Sequence, residues 1–167
     1  MSTNQIYQDP VLKKYGQLIE SSKLFKSIFY GDPIRIGSSE LPALIIAKID
    51  TRVGKFTNSE DAHEMRISFT AVTDVRDTIG EDKEMVRGVN SLYNLMEGRQ
   101  ESTYQLKTDS LLYILRHNEV VDAANNLRTD LSSVSKIDYG MTIGKRKDAA
   151  WSIEGTLEIT SSFTQVR

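Results

Sequence analysis

Glu60, Asp61, His63 and Glu64 fall within five consecutive positions, and carboxylates beside an imidazole are side chains that could gather a divalent ion. Their spacing is not that of a metal site, because no His-x-x-x-His pair sets two ligands on one face. A solvated stretch of mixed charge is the simpler reading. The other histidine, His117, stands with Asn118 where a helix should end, and a protonated imidazole suits the negative end of a helix dipole. Glu154 and Glu158 lie on the same side of one strand and could in principle act as paired acids, but the same spacing describes a wet face. Lys145, Arg146 and Lys147 form the only basic cluster, able to touch DNA or an acidic partner, or simply to keep a hairpin end soluble. Gly31, Gly37 and Gly54 match neither the P-loop nor the dinucleotide fingerprint, and no Gly-x-Ser-x-Gly elbow occurs. With no cysteine there is no disulfide, thiolate nucleophile or thiolate metal site. No catalytic residue, metal or cofactor is expected.

The clearest pattern among the elements that must position these residues runs from Ser135 to Arg167. Ile137, Tyr139, Met141 and Ile143 alternate with polar or small residues, and so do Trp151, Ile153, Leu157 and Ile159. Lys145 to Asp148 links the two arms, predicting a long antiparallel hairpin. Core packing is the default role for Tyr139 and Trp151, although a ribbon of this length could overhang its own domain and, with Met141 and Ile153, bury them against a neighbour.

Upstream, Asp9 and Pro10 open a helix, in which Val11, Tyr15, Leu18, Ser22, Phe25 and Phe29 recur at three- or four-residue steps until Tyr30-Gly31-Asp32-Pro33 breaks it. Leu41 to Ile49 is nearly continuous in apolar residues, as in a central strand buried on both faces. Thr51 to Glu64 is polar and is expected to be an excursion from the core, one that could serve as a lid. Met65, Ile67, Phe69 and Ala71 alternate as a half-buried strand, antiparallel to the preceding one. A helix follows from Glu81 and Asp82, with Val86, Val89, Tyr93 and Met96 as its stripe and Gly98 as its end. Another runs from Thr108 or Asp109 to about Asn118, with Leu111, Leu112 and Leu115 inward, and Val120 to Leu131 reads as a loop. The expected fold is one α+β domain over residues 1–167: a mostly antiparallel sheet of about four strands with helices on one face.

Composition sets bounds on partners. The chain of 167 residues has 21 basic and 23 acidic side chains, interspersed, and a formal charge of −2, which argues against a dedicated nucleic-acid binder. No apolar run is long enough to cross a bilayer, and the amino terminus lacks a signal-peptide pattern, so folding in a cytoplasm is expected.

Tyr30-Gly31-Asp32-Pro33-Ile34-Arg35-Ile36, then Leu41-Pro42-Ala43-Leu44-Ile45-Ile46, after an amphipathic helix, resembles the small tail-completion and neck proteins of tailed bacteriophages. The order of elements is similar to that of tail terminators, small α/β proteins that form a six-fold ring on the finished tail tube. The resemblance implies a structural virion protein without catalytic residues, assembled in the host cytoplasm into a homo-hexameric ring. It would dock on the tail-tube protein and on neck or connector proteins, while DNA passes through without specific binding. Glu154 and Glu158, turned toward the lumen of such a ring, would repel that DNA. The competing readings are a head-side adaptor of twelve copies, a tail-tube subunit, and an α+β enzyme or small-molecule-binding domain, which would need a pocket with convergent polar groups.

Overall fold

The computed structural model describes residues 8–75, 84–118, 127–129, 134, 136–140 and 142–166. The chain opens with helix α1, Pro10–Glu20, where Asp9 Oδ1 accepts a hydrogen bond from the Val11 amide at 2.9 Å and Pro10 occupies the first turn. Leu12, Tyr15 and Ile19 are its buried stripe. The helix stops well short of the length its periodicity predicts. The Ser21 and Ser22 hydroxyls donate to the carbonyls of Leu18 and Ile19, and Lys23 turns into left-handed backbone at φ 56°. Ser27–Tyr30 is instead strand β1, parallel to the first half of β2, Ala43–Lys55. Ile28, Phe29 and Tyr30 are β-branched or aromatic residues that suit a strand, and pairing with Leu44 to Ile46 outweighs the helical spacing.

β2 is buried on both faces from Ala43 to Ile46, but not as far as expected, since Ile49 is 41% exposed. Leu44 and Ile46 join the main core, while Ala43 and Ile45 pack into a smaller cluster on the other face with Ile36, Leu41, Val72 and Ala149. β3, Glu60–Asp74, returns antiparallel to β2 with Met65, Ile67, Phe69 and Ala71 inward. Thr51 to Glu64 is therefore no loop and no lid. Both strands continue through it, turning only at Phe56–Ser59. The segment lacks an apolar period because neither side of the ribbon is fully buried there, while the ladder still satisfies its backbone.

Helix α2, Glu84–Glu97, buries Leu92 and Met96, with Tyr93 half exposed. Its expected start at Glu81 and Asp82 lies outside the described residues. Helix α3, Leu111–His117, is capped by Ser110 and buries Leu111, Leu112, Ile114 and Leu115. Part of the expected loop after it is strand: β4, Leu127–Thr129, pairs with the last strand. Strand β5, Lys136–Gly140, and strand β6, Ser152–Val166, complete a sheet of six strands in the order β1-β2-β3-β6-β4, with β5 also paired to β6. Only β1 is parallel, and all helices contribute to the core on one face, so the fold is α+β.

The carboxy-terminal ribbon differs most from expectation. β6 does form a hairpin with β5, but it pairs along its whole length with β3 on the other side, which places it in the middle of the sheet. Its alternation reflects a core face and a second face, not an overhang. Ile153 and Leu157 are enclosed by their own subunit, so Ile153 cannot be a contact for a neighbour. The first arm ends at Gly140, and residues 142–151 form an irregular connection over the second face instead of a four-residue link. Met141 lies outside the described residues.

Candidate assembly surface

Arg146 is held by four side-chain hydrogen bonds. Gly144, at φ 75°, turns the connection so that its amide donates to the Ser152 carbonyl, a path on which a Cβ would meet the Ala150 carbonyl oxygen at 2.7 Å. The chain then lies beside residues 34–36: the Ile36 amide donates to the Lys147 carbonyl at 3.2 Å, and the Lys147 amide to the Ile34 carbonyl at 3.3 Å. This lowers Arg146 onto the second face, where Nε donates to Glu154 Oε1 at 2.6 Å and Nη2 to Oε2 at 3.3 Å. Nη1 donates to Asp32 Oδ1 and to the Pro33 carbonyl, the latter at 2.7 Å. The side chains of Arg146 and Glu154 are only 10% and 7% exposed. Burial pulls the guanidinium pKa down, but the hydrogen bonds it donates to Glu154 and Asp32 outweigh this and hold the charge.

Two expectations change as a result. Glu154 does not face open solvent and cannot line a lumen, because it is the counter-ion of Arg146, with Lys145 Nζ also 3.6 Å away. The basic cluster is divided: Arg146 is unavailable to DNA or a partner, while Lys145 and Lys147 remain exposed. Glu158 is partly exposed on the second face, directly opposite Lys136.

Tyr139 is half buried rather than presented to a neighbour. Its hydroxyl donates to Glu97 Oε1 at 2.8 Å, its ring meets Tyr93 edge-on at 4.6 Å, and it lies over Gly155, whose missing side chain leaves room for it. Burial, then the Glu97 carboxylate, pushes the phenol pKa up. Tyr93, Asn94, Glu97, Gly98, Arg99 and Tyr139 border an open hollow of about 510 Å³. Trp151 immediately precedes β6 and is 48% exposed, its carbonyl held by the Val75 amide at 2.8 Å.

The candidate metal residues do not converge. Along β3, Asp61 and His63 point to one side and Glu60 and Glu64 to the other, and no group of three potential ligands exists among the described residues. His63 instead stacks on Phe163 with ring centroids 4.8 Å apart. His117 is where the helix-end reading put it, its Nδ1 3.0 Å from the Tyr113 carbonyl and its ring stacked on Tyr113.

What sequence reasoning missed is the arm. β2, β3 and β6 run on together past Met65, carrying Val53, His63 and Phe163 side by side at one register. Val53 and Phe56 are 61% and 63% exposed, and with Arg52, His63, Glu64 and Phe163 they border a groove of about 710 Å³. Two ion pairs sit on the second face near opposite edges of the sheet. Arg66 Nε donates to Asp50 Oδ2 at 2.9 Å, and Lys136 Nζ lies 2.8 Å from Asp138 Oδ2. The hydrogen bond from Arg66 holds the Asp50 carboxyl below its ordinary pKa, and the bond to Asp138 raises that of Lys136.

No protein-family model and no curated protein matches the chain.

Proposed function

We propose that this chain is a structural virion protein of a tailed bacteriophage, a tail terminator whose subunits close into a ring, most simply a hexamer, on the tail tube. Docking to neck or connector proteins and passage of DNA without specific binding follow from that role, and no catalysis or cofactor is required for it. The observation that carries the reading is the arm, which holds Val53 on its ladder and Phe56 at its turn, both exposed. Apolar side chains on a rigid projecting ribbon gain free energy only by burial against another chain. The Tyr30 to Ile36 segment, which carries the family resemblance, has a structural part in this: Asp32 and Pro33 anchor Arg146 and so tie the amino-terminal half to β6.

Size-exclusion chromatography with light scattering, followed by negative-stain imaging, tests the reading. A closed ring with a central hole is expected; a strict monomer at high concentration, also in the presence of purified tail tubes, overturns it. Twelve copies would instead indicate a head-side adaptor, and growth into long tubes a tube subunit.

A further inference from the structure

Each side of the sheet has a stretch of edge that is unpaired among the described residues. Among the described residues, nothing pairs with the outer edge of β2 beyond Ile46, where β1 ends, and nothing pairs with the outer edge of β5. An unpaired edge is a row of backbone donors and acceptors ready for another strand. The side chains on the second face show which strand fits. Reading across the sheet from the β2 edge, Asp50 is opposite Arg66, Arg66 is attracted to Glu158 from the diagonal position, and Glu158 is opposite Lys136 at the β5 edge. Signs alternate from negative to positive along this stripe, which ends in a carboxylate bound by Arg66 at the β2 edge and in an ammonium beside Asp138 at the β5 edge.

We infer that the open edge of β2 takes the β5 edge of a second copy, with Lys136 of one subunit beside Asp50 of the next, so that one charge stripe continues from subunit to subunit. Direction agrees with this. β2 and β6 both run antiparallel to β3, and β5 runs antiparallel to β6, so rotation about an axis along the strands brings β5 antiparallel to the neighbour's β2. The contact joins unlike edges and is heterologous, the kind that closes a ring by repetition. A contact between two β2 edges, or two β5 edges, would leave the stripe unmatched at the opposite side of each subunit. The inference rests on the ring reading above and specifies its joint.

Because the chain lacks cysteine, the joint can be trapped directly. Asp50→Cys and Lys136→Cys subunits, each oxidised alone, are expected to stay uncrosslinked, whereas a mixture gives a disulfide-linked dimer. The double variant gives a ladder that ends at the copy number of the ring. Thermal melts like that of the unmodified chain show that these substitutions leave the fold intact. Crosslinking of either single variant alone overturns the unlike-edge joint, and so does a double variant without a ladder. If rings persist in light scattering while the ladder is absent, the joint fails and the ring reading stands; if both are absent, both fail. Independently, Lys136→Glu sets like charges at the joint and is expected to raise the protein concentration for half-assembly about tenfold at low salt. An unchanged midpoint contradicts the stripe.

Discussion

Replacing Arg146 by methionine removes four hydrogen bonds at once, two to Glu154, one to Asp32 and one to the Pro33 carbonyl. Taking one partner from a buried ion pair costs about 3–5 kcal/mol, chiefly because the other charge stays behind in a poor solvent. Two features place this case at the lower end. Lys145 still lies 3.6 Å from Glu154 Oε2, and Asp32 is open to water and rehydrates. The expected loss is about 3 kcal/mol, or about 9 °C in Tm for a domain of this size. Urea denaturation followed by the fluorescence of Trp151, the only tryptophan, measures it, since that residue immediately precedes the strand to which Arg146 is tied. The difference should persist at high salt, because a pair shielded from water is little screened. Replacing both partners, Arg146→Met with Glu154→Leu, should recover most of the loss, as an apolar pair needs no counter-ion. If the single variant melts within about 0.5 kcal/mol of the parent, or the double variant does no better than the single, Glu154 is a solvated surface acid and the account of this corner is wrong.

The raised phenol pKa of Tyr139 gives a pH prediction. The folded state holds the proton more tightly than the unfolded chain, so the stabilisation is complete below the ordinary value of 10.0 and is lost as pH rises beyond it. Spectrophotometric titration should show tyrosines that fail to ionise in the usual range, Tyr139 among them, and Tyr139→Phe should lower their number by one at a cost of about 1.5–3 kcal/mol for a hydrogen bond to a charged group. In the core, Leu157→Ala should lower stability by about 2–5 kcal/mol in chemical denaturation, because the side chain is fully enclosed between the sheet and the helices. Ser substitutions of Val53 and Phe56 should leave Tm within about 1 °C, since both are exposed, while weakening assembly in light scattering.

Legibility in the sequence followed solvent contact. β3 was visible because one side of Met65 to Ala71 is buried and the other is not, and the first half of β2 because both sides are covered. α3 was visible from Leu111, Leu112 and Leu115 below a good cap. β1 was hidden because Phe25 and Phe29 happen to stand four apart, so a helical stripe and a short apolar strand fit the same letters. The arm was hidden for the opposite reason: little of it is buried, so composition alone made it look like a loop. The Arg146–Glu154 pair left almost no trace, since eight residues and an irregular connection separate the partners. A glutamate at a regularly alternating polar position carries no mark that says whether water or a guanidinium faces it.

These differences move the assembly surface without removing the reason to seek one. The sequence pattern put the unsheltered apolar groups on the last strand, but that strand lies between β3 and β5 and shelters Ile153 and Leu157 itself. A strand so placed spends its hydrogen-bonding capacity inside the subunit. What it leaves outside are the two flanking edges and the arm it helps to stiffen. A ring built from such subunits should therefore be joined at backbone edges and biased by the charges beside them, with the arm's Val53 and Phe56 adding burial. Assembly of that kind weakens with salt through Asp50 and Lys136 but keeps an apolar component that salt does not screen. Light scattering across a salt series separates the two parts: a midpoint that rises with salt and then levels off is expected. A flat response denies the edge charges their part, and complete dissociation at high salt denies it to the arm.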